Sequence, residues 1–395
     1  MKAFKVIHLS TTHTGGAGLA ARRLNQSLNI LGVDSVFLAL SRLDFQVKLN
    51  EVSIKRNFTT KFLSGIMARL QSNLSSKVFF SLFNFSSVKT DFVRSFGDPK
   101  DVILHFHNWF NLVSQKQIFQ LANVGYRVVI TLHDERFFTG GCHYALNCHK
   151  FVTDCFPCPE LKFGLNWIPR INLQNSVSQI KSNNLKITFI SPSMWLLVEA
   201  KKSILLKDQD VRFVPNSLGS SKDSNPVERS RNFNGEFLVL GVASMDPKSY
   251  IKGGDLTQEI EHLIFKNRLP VRIEYMNKYG QDEIAIDKFW SNIDYLLVLS
   301  RADNSPNVIH EAKNRGIPII ASKVGGIEEL LDSKYDIPVD LNDLNPQTLI
   351  EKFLKILQLG ILPETSSVIF SRYQDYSRNS LEEHIKIYQE LINIA

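Results

Sequence analysis

Residues 299–331 constrain the fold of this 395-residue chain more than any other segment. Strand, loop and helix patterns follow one another there: an apolar strand at 295–299, a polar loop at 303–307, a helix from Val308 that Gly316 ends, a strand at 317–321, and a Gly325-Gly326 loop before a further helix. This order is typical of a parallel sheet that binds ligands at the carboxyl ends of its strands. The segment therefore predicts an α/β fold with a ligand site beside these loops.

Two acids of this segment are candidates for ligand binding. Asp303 precedes the predicted helix, and Glu311 lies eight positions later, inside it. Carboxylates accept hydrogen bonds from sugar hydroxyls, and backbone N–H groups at the start of a helix suit a diphosphate. The same spacing also fits a helix-capping acid followed by a solvent-exposed glutamate. The two acids alone leave both interpretations open.

The segment resembles the donor site of the family 4 retaining glycosyltransferases, which have the GT-B fold. Their usual motif has two glutamates separated by seven residues, then an alanine, a Gly-Pro turn, a strand and a Gly-Gly loop. Asp303 stands at the first glutamate position and Glu311 at the second, and the remaining matches are Ala312, Gly316, Pro318, Gly325, Gly326 and Glu329. The aspartate departs from the motif: it keeps the charge, shortens the reach by one methylene, and with Asn304 resembles one bacterial branch of the family.

The resemblance implies a fold, a reaction and a set of site residues. The fold is α/β of the GT-B type, with two Rossmann-like domains whose parallel sheets face each other across a cleft. The reaction moves a hexosyl unit from a nucleotide-sugar to a hydroxyl acceptor, with retention of configuration and no cofactor in catalysis. The implied catalytic residues are His133, Asp303 and Lys252, and the implied donor-binding residues are Gly16, Lys252, Asn304, Ser305, Pro306, Asn307, Val308, Glu311, Gly325 and Gly326.

The N-terminal half carries its own candidate residues. A strand at 4–9, a glycine-rich loop at 14–18 that contains Gly16, and a helix at 17–31 form an opening βα unit. Two further strands end in polar residues: the strand at 102–106 is followed by His107 and Asn108, and the strand at 128–132 by His133. Polar side chains at the carboxyl ends of parallel strands are functional candidates. By the resemblance, His107 and Asn108 lie on the acceptor side and His133 lies near the reacting sugar.

The C-terminal half begins with a predicted strand at 237–242. Lys252-Gly253 matches the Lys-Gly pair of the family, and a lysine is a suitable point charge for a diphosphate. Most family members carry an arginine where this chain has Val242. We expect Lys248 to substitute for that arginine. The predicted domains are 1–218 on the acceptor side, a linker at 219–235, 236–375 for the nucleotide-sugar, and a helix at 376–395 that returns to the first domain.

All four cysteines fall within a short segment, at Cys142, Cys148, Cys155 and Cys158. Clustered cysteines in a cytosolic protein favour zinc over disulfides. Four thiolates would make a structural zinc site, because they leave no open position for catalysis. A metal-free, reduced loop is the alternative, since the segment has only one C-x-x-C pair.

Charge and apolar content predict the partners. The net charge is +7 and the pI about 9.1, which favours anionic ligands, but no nucleic-acid-binding motif is present. Residues 55–94 carry seven basic residues and one acid beside several phenylalanines. This segment predicts either a core-packing helix with a basic face or a surface that binds anionic lipid. We expect a cytoplasmic protein, peripheral on the inner membrane face in the second case, because no signal peptide or membrane-spanning run is visible.

The resemblance, together with the basic charge, implies hexosyl transfer to a glycan or lipid-linked glycan in bacterial surface polysaccharide synthesis. The alternative from another class is a non-catalytic nucleotide-binding or scaffold protein on a decayed GT-B fold. Asp303 and Val242, which depart from the family pattern, favour that alternative. Glu311, Lys252, Gly16 and His133, which keep it, favour the enzyme.

Overall fold

The computed structural model of the chain describes residues 4–40, 49–55, 61–63, 65, 66, 69, 79–84, 86–161, 164–216, 237–244, 246, 248–279, 283–342, 345–359 and 365–393. The chain divides into two compact units, Met1–Ser220 with Arg378–Ala395, and Ser221–Ser377. We call them unit 1 and unit 2. The predicted linker at 219–235 and much of the basic segment at 55–94 lie outside the described residues.

Unit 1 contains a parallel sheet of seven strands with helices between them. The strands are β1 (Lys5–Ser10), β2 (Asp34–Leu40), β3 (Glu51–Ile54), β4 (Val102–Phe106), β5 (Arg127–Thr131), β6 (Ile187–Ser191) and β7 (Asp210–Phe213). The helices are α1 (Gly15–Ile30), α2 (Thr90–Arg94), α3 (Gln115–Asn123), α4 (Ile168–Ser182) and α5 (Met194–Lys202). The strand order β3-β2-β1-β4-β5-β6-β7 reverses direction between β1 and β4, and a doubly wound sheet binds ligands at such a switch point.

Unit 2 contains a second, smaller parallel sheet. Its elements are β8 (Leu238–Val242), α6 (Gly254–Lys266), β9 (Val271–Tyr275), α7 (Glu283–Asn292), β10 (Tyr295–Val298), α8 (Asn307–Lys313), β11 (Ile319–Ser322), β12 (Ile337–Val339), α9 (Pro346–Leu359) and α10 (Thr365–Asn393). The strand order β12-β11-β10-β8-β9 puts the switch point between β8 and β10. Two parallel sheets with interleaved helices confirm the predicted α/β class and Rossmann-like units.

The sheet of unit 1 is buried on both faces, as its nearly continuous apolar strands predict. Ile7, Leu104 and Phe106 belong to the cluster on one face. On the other face, Val6 and Ile103 belong to a cluster that also contains residues of α1 and of α10. That second face turns polar toward the carboxyl ends of β1 and β4, where His8 and His105 are register partners.

Two predicted elements differ from the observed ones. The last helix was expected at 376–395, with its clear apolar stripe from 381, but α10 begins at Thr365 and belongs to unit 2 before Arg378 and to unit 1 after it. The first half of α10 is polar in sequence and buries few apolar side chains, such as Ile369 and Tyr373, so its helical period is faint. The helix expected after Gly325-Gly326 is a 3₁₀ helix, Gly325–Leu330.

Among the described residues, no helix combines the length and the apolar character that a membrane crossing requires.

Candidate functional site

At the switch point of unit 2, an ion pair joins two predicted site residues that are far apart in sequence. Lys252 Nζ lies 2.6 Å from Asp303 Oδ2. The Asp303 carboxylate also accepts the backbone N–H of Asn304 at 3.0 Å. The Asp303 side chain is 12% exposed and that of Lys252 34%, so solvent reaches the lysine more easily than the acid. A cation held at the carboxyl ends of β8 and β10 is suited to an anionic ligand.

Gly253 explains how the chain presents Lys252. It caps α6 in the left-handed region, with φ of +70°. A Cβ atom at this position would lie 1.9 Å from the carbonyl oxygen of Leu299, at the end of β10. Only glycine permits both the backbone angle and this close approach. The Lys-Gly pair that the sequence matched to the family is therefore a structural requirement of the site as well.

Arg301, just after β10, holds the loop that carries Lys252. It was not predicted as a site residue. Its backbone N–H donates to Ile251 O at 2.7 Å, and its guanidinium holds both carboxylate oxygens of Asp255 at 2.6 and 2.7 Å. The same group lies 3.9 Å from the ring centre of Tyr250. The hydrogen bond from Arg301 holds the pKa of Asp255 below its usual range. The available signal was an arginine just after β10 together with an acid in the first turn of α6, the helix that follows β8.

The Gly-Gly loop joins the same site. The backbone N–H of Gly326 donates to Asp303 O at 3.1 Å, and Gly325 has a φ of +54°. Lys252, Asp303 and the Gly325-Gly326 loop are thus brought together by direct contacts.

The remaining predicted donor residues lie at the start of α8. Pro306 precedes the helix, Asn307 and Val308 begin it, and Glu311 lies one turn further on, partly exposed. Ser305 Oγ lies 2.6 Å from Nε2 of the buried His310, whose Nδ1 contacts the Tyr373 hydroxyl. These contacts tie the loop before α8 to α10 within unit 2.

Val242, which stands where most family members carry an arginine, and Lys248, its predicted replacement, lie on the β8 side of this site. Val242 ends β8 and is buried, and Lys248 is exposed on the loop that follows.

Unit 1 has a small, open pocket at its own switch point, with a cavity volume of about 40 Å³. It is lined from α1 and from the segments that follow β4 and β5, and its walls include the predicted residues His107, Asn108 and His133. Gly16 lies in the first turn of α1, next to Ala17 of the pocket wall. Aromatic and polar side chains together in one concave surface are typical of small-ligand sites. The other lining residues are Trp109, Phe110, Ile130, Thr131, Leu132, Asp134, Arg136, Phe137 and His143.

Behind this pocket, three histidines form a hydrogen-bonded chain. His133 Nε2 lies 3.2 Å from His107 Nδ1, and His107 Nε2 lies 3.0 Å from His8 Nδ1. Two more histidines stand beside the chain: His105, bonded to Tyr388 and Thr131, and His384 on α10. Of these histidines, only His107 and His133 were predicted as site residues. His8 and His105 follow Val6 and Ile103 by two positions, so strand alternation places them on the same face of the sheet.

Burial keeps these histidines neutral. It lowers the pKa of His8 to about 3 and the pKa values of His133 and His384 to about 4. It also lowers the pKa values of His105 and His107 well below the ordinary range. A neutral imidazole carries one proton, so each bond in the chain needs one donor and one acceptor. His133 therefore meets a ligand as a polar but uncharged group.

The His8 end of the three-histidine chain indicates the direction in which its N–H groups donate. His8 Nε2 is buried and has no hydrogen-bond partner among the described residues. A buried N–H without an acceptor is rarer in proteins than a buried acceptor without a donor. The network thus favours a proton on His8 Nδ1 and on His107 Nδ1, each donating to the next ring. In that arrangement His133 accepts at Nε2 and carries its own proton on Nδ1.

The nitrogens of His8, His105 and His107 also lie within 4.8 Å of one another, the one such grouping of possible metal ligands among the described residues. Both nitrogens of His105 and both of His107 are already in hydrogen bonds, so this cluster is a network of polar contacts. The four predicted zinc ligands, all of them described, do not form a comparable group. Burial raises the pKa of the Cys155 thiol to about 12 and also raises those of Cys142 and Cys158. The structural zinc stays a prediction, which elemental analysis of chelator-free protein tests.

A second polar group on the pocket wall was not predicted. His143 Nδ1 lies 2.6 Å from Asp134 Oδ2, and His143 Nε2 lies 2.8 Å from Ser81 Oγ. The neighbouring Glu135 is buried, and its carboxylate accepts the backbone N–H of Ala145. Burial raises the pKa of Glu135 to about 8. These contacts hold the segment after β5 against the cysteine-containing loop.

Two comparisons with known proteins bear on the function of the chain. Residues 229–359, which contain the Lys252–Asp303 pair, match the family model of glycosyl transferases group 1. An Escherichia coli K12 protein described as a colanic acid biosynthesis glycosyl transferase, WcaC, is 24% identical over 344 residues, which are 78% of this chain and 80% of that protein. The chain is a glycosyltransferase of the GT-B fold. The resemblance to family 4 and the prediction of an enzyme are thereby confirmed.

Solved structures of glycosyltransferases match the whole chain of this enzyme. Sucrose-phosphate synthase from Thermosynechococcus elongatus aligns with a TM-score of 0.59 at 13% identity, over 99% of this chain and 100% of that one. Anabaena HepE in complex with UDP aligns with a TM-score of 0.55 at 14% identity, over 98% and 100%. At these identities the likeness shows the fold, and the GT-B prediction is confirmed.

Proposed function

We propose that this glycosyltransferase moves a hexosyl unit from a nucleoside diphosphate sugar to a hydroxyl group, with retention of configuration. The observation that carries the proposal is the Lys252–Asp303 pair at the switch point of unit 2, held by Gly253, Arg301 and the Gly325-Gly326 loop. The Lys252 ammonium group lies at the carboxyl ends of parallel strands, inside the segment that matches group 1 glycosyl transferases. A fixed cation in that place fits a donor diphosphate.

In this reaction the bond between the anomeric carbon and the diphosphate oxygen breaks, and negative charge develops on the leaving diphosphate. Lys252 stabilises that charge through its ammonium group. Asp303 holds the lysine in place and accepts hydrogen bonds from hydroxyls of the donor sugar. Glu311 accepts from the ribose. The acceptor proton passes to the leaving phosphate, which explains why the mechanism needs no separate protein base.

The relatives support a choice of donor and acceptor class. Anabaena HepE has been solved with UDP and with UDP-glucose, so UDP-hexoses come first among the donors that we propose. The likeness to a protein of colanic acid biosynthesis supports a glycan or lipid-linked glycan acceptor in polysaccharide assembly. The pocket of unit 1, with His107, Asn108 and His133, is the acceptor-side site in this proposal.

The experiment is a donor panel followed by product release. A true donor at 100 times its dissociation constant should add about 2.7 kcal/mol to the free energy of unfolding. The donor that stabilises most should then release nucleoside diphosphate, and Lys252→Met should reduce this release about 100-fold. Lys266→Met, an exposed lysine on α6, is the matched control. Stabilisation without any release would favour the non-catalytic alternative, a nucleotide-binding or scaffold protein.

A lipid-linked acceptor would also bring the enzyme to a membrane surface. We propose that the segment 55–94 binds anionic lipid, since its exposed described residues include Lys61, Phe62 and Phe79. Co-sedimentation with anionic vesicles should decrease steeply as salt increases, because salt screens exposed charges. Equal binding to neutral vesicles, or binding to neither kind, would contradict this part of the proposal.

A further inference from the structure

Arg136 is a buried cation on the wall of the unit 1 pocket. It lies in a short 3₁₀ helix, Glu135–Phe137, directly after β5, and only 7% of the residue is exposed. Its guanidinium carbon lies 5.1 Å from the ring centre of Trp109 and 5.0 Å from that of Phe110. These two rings hold the guanidinium in one place, because a cation over an aromatic face is attracted by it.

Most of the hydrogen-bonding capacity of Arg136 is unused by the protein. Its Nε–H donates to Ser81 O at 3.0 Å. The two terminal amino groups, with four N–H donors, have no hydrogen-bond partner among the described residues, and no described carboxylate is within ion-pair distance. The nearest acid, Asp134, already binds His143 through Oδ2 and the backbone N–H of Arg136 through Oδ1.

A buried charge without a counter-ion is costly, and proteins seldom keep one without a purpose. Burial lowers the pKa of Arg136 to about 10, which still leaves the side chain charged at neutral pH. The cost is relieved when an anion enters the pocket and meets the four donors. A guanidinium presents its donors as a planar fork, which matches the two oxygens of a carboxylate or a phosphate.

We propose that Arg136 binds an anionic group of the acceptor, so that the acceptor is a glycan that carries a carboxylate or a phosphate next to the reacting hydroxyl. This inference rests on the proposed function. The pocket that Arg136 lines belongs to unit 1, whereas the cation assigned to the donor diphosphate, Lys252, belongs to unit 2. Because Lys252 already accounts for the donor diphosphate, we assign the anion of this pocket to the second substrate. Asn108, on the same wall, supplies a neighbouring polar contact for a hydroxyl.

The test compares each anionic acceptor with a neutral acceptor that has the same aglycone chain. Methyl glucuronide supplies a carboxylate and is compared with methyl glucoside, and decyl diphosphate-linked glucose supplies the phosphate of a lipid carrier and is compared with decyl glucoside. With the donor found in the panel, wild-type kcat/KM should be about 10- to 100-fold higher for one of the two anionic acceptors than for its neutral reference. The anionic acceptor that is used identifies the source of the charge.

Arg136→Gln should remove that preference and bring the two kcat/KM values to within about twofold, because the amide keeps polar contacts but has no charge. Arg136→Lys should keep part of the preference. Donor KM and donor hydrolysis without acceptor should stay unchanged in both variants. A structural role would instead lower kcat/KM for charged and neutral acceptors alike, and that result, or a wild-type enzyme without preference for charge, would overturn the inference.

If no acceptor of the panel is glycosylated, calorimetry with methyl glucuronide and with inorganic phosphate decides. Wild-type protein should bind at least one of them about tenfold more tightly than Arg136→Gln does. Equal affinity of the two proteins would refute the anion site even where donor hydrolysis proceeds. Absence of nucleoside diphosphate release from every donor would refute the proposed function itself, so the two failures are distinguishable.

Discussion

At the scale of single residues, the Lys252–Asp303 pair is the most informative contact in the molecule. A carboxylate 2.6 Å from the ammonium orients it but also competes with a phosphate for it. In the proposed function, Asp303 therefore acts on the nucleotide indirectly, through the lysine, as well as on the sugar. This dual role was not predictable from spacing, because the two residues are 51 positions apart and belong to different loops.

The first prediction is a double-mutant cycle on this pair. Lys252→Met and Asp303→Asn should each lower turnover about 10- to 100-fold, and the double variant should lose clearly less than the product of the two single losses, because both changes remove the same ion pair. Steady-state kinetics with the working donor measure this. Fully additive losses would mean that the two side chains act independently.

The second prediction concerns His107 as a positioning residue for His133. His107→Leu removes the N–H that donates to His133 Nε2, so the His133 ring loses its fixed proton position. We expect about a tenfold lower kcat, unchanged affinity for nucleoside diphosphate, and partial recovery in His107→Gln, whose amide can still donate. Nitrogen NMR of labelled histidines should show the His133 proton on Nδ1 in the wild type and a changed pattern in His107→Leu. A wild-type proton on Nε2 would contradict the direction of the chain.

At the scale of elements, one glycine decides how the donor loop packs on the sheet. Gly253→Ala places a Cβ against Leu299 O in the left-handed region, whereas at Gly32, with φ of +79°, an added Cβ has no atom within 4 Å. The third prediction is that Gly253→Ala lowers the free energy of unfolding by about 3 kcal/mol or more and Gly32→Ala by about 1–2 kcal/mol. Denaturant unfolding of both variants measures the difference. Similar losses would show that the Leu299 contact yields at little cost.

The sequence predicted most of these elements because their patterns are local. The strand predicted at 102–106 agrees with β4 at both ends, since it is a short, mostly apolar run bounded by polar residues. Helix α10 was predicted only in its second half, where the apolar stripe is dense. The ion pair between Arg301 and Asp255 and the hydrogen-bonded histidines join residues far apart in sequence. These residues meet only in the folded sheet, so no local sequence pattern predicts their contacts.

At the scale of the whole molecule, the buried histidines link stability to pH. Their folded-state pKa values, about 3 for His8 and about 4 for His133 and His384, are below the ordinary value of about 6.5. His105 and His107 are lowered as well. Between about pH 6.5 and 4 the unfolded chain therefore binds protons that the folded chain does not bind. Stability must decrease as the pH decreases through this window, by up to about 1.4 kcal/mol per pH unit for each histidine.

Glu135 acts in the opposite direction. Its folded-state pKa is raised to about 8, so below that pH the folded chain holds a proton that the unfolded chain releases down to about pH 4.3. As the pH decreases from 8, this one group stabilises the folded chain. Above pH 6.5 it acts alone among these groups, and below pH 6.5 five histidines oppose it. The contribution of Glu135 and the five histidines to the free energy of unfolding should thus be greatest near pH 6.5 and decrease on both sides.

The fourth prediction follows from this balance. Urea unfolding of the wild type should show a steep loss of stability from pH 6.5 to 5, and His384→Gln, which removes one of the five groups, should reduce that slope by about 1.4 kcal/mol per pH unit. Glu135→Gln should abolish the smaller loss between pH 6.5 and 8, because its amide does not ionise. His262→Gln, at an exposed position on α6, is the matched control. If the free energy of unfolding of the wild type is constant from pH 6.5 to 5, the buried histidines accept protons while the protein stays folded. The row of neutral, hydrogen-bonded histidines behind the pocket would then not persist in solution.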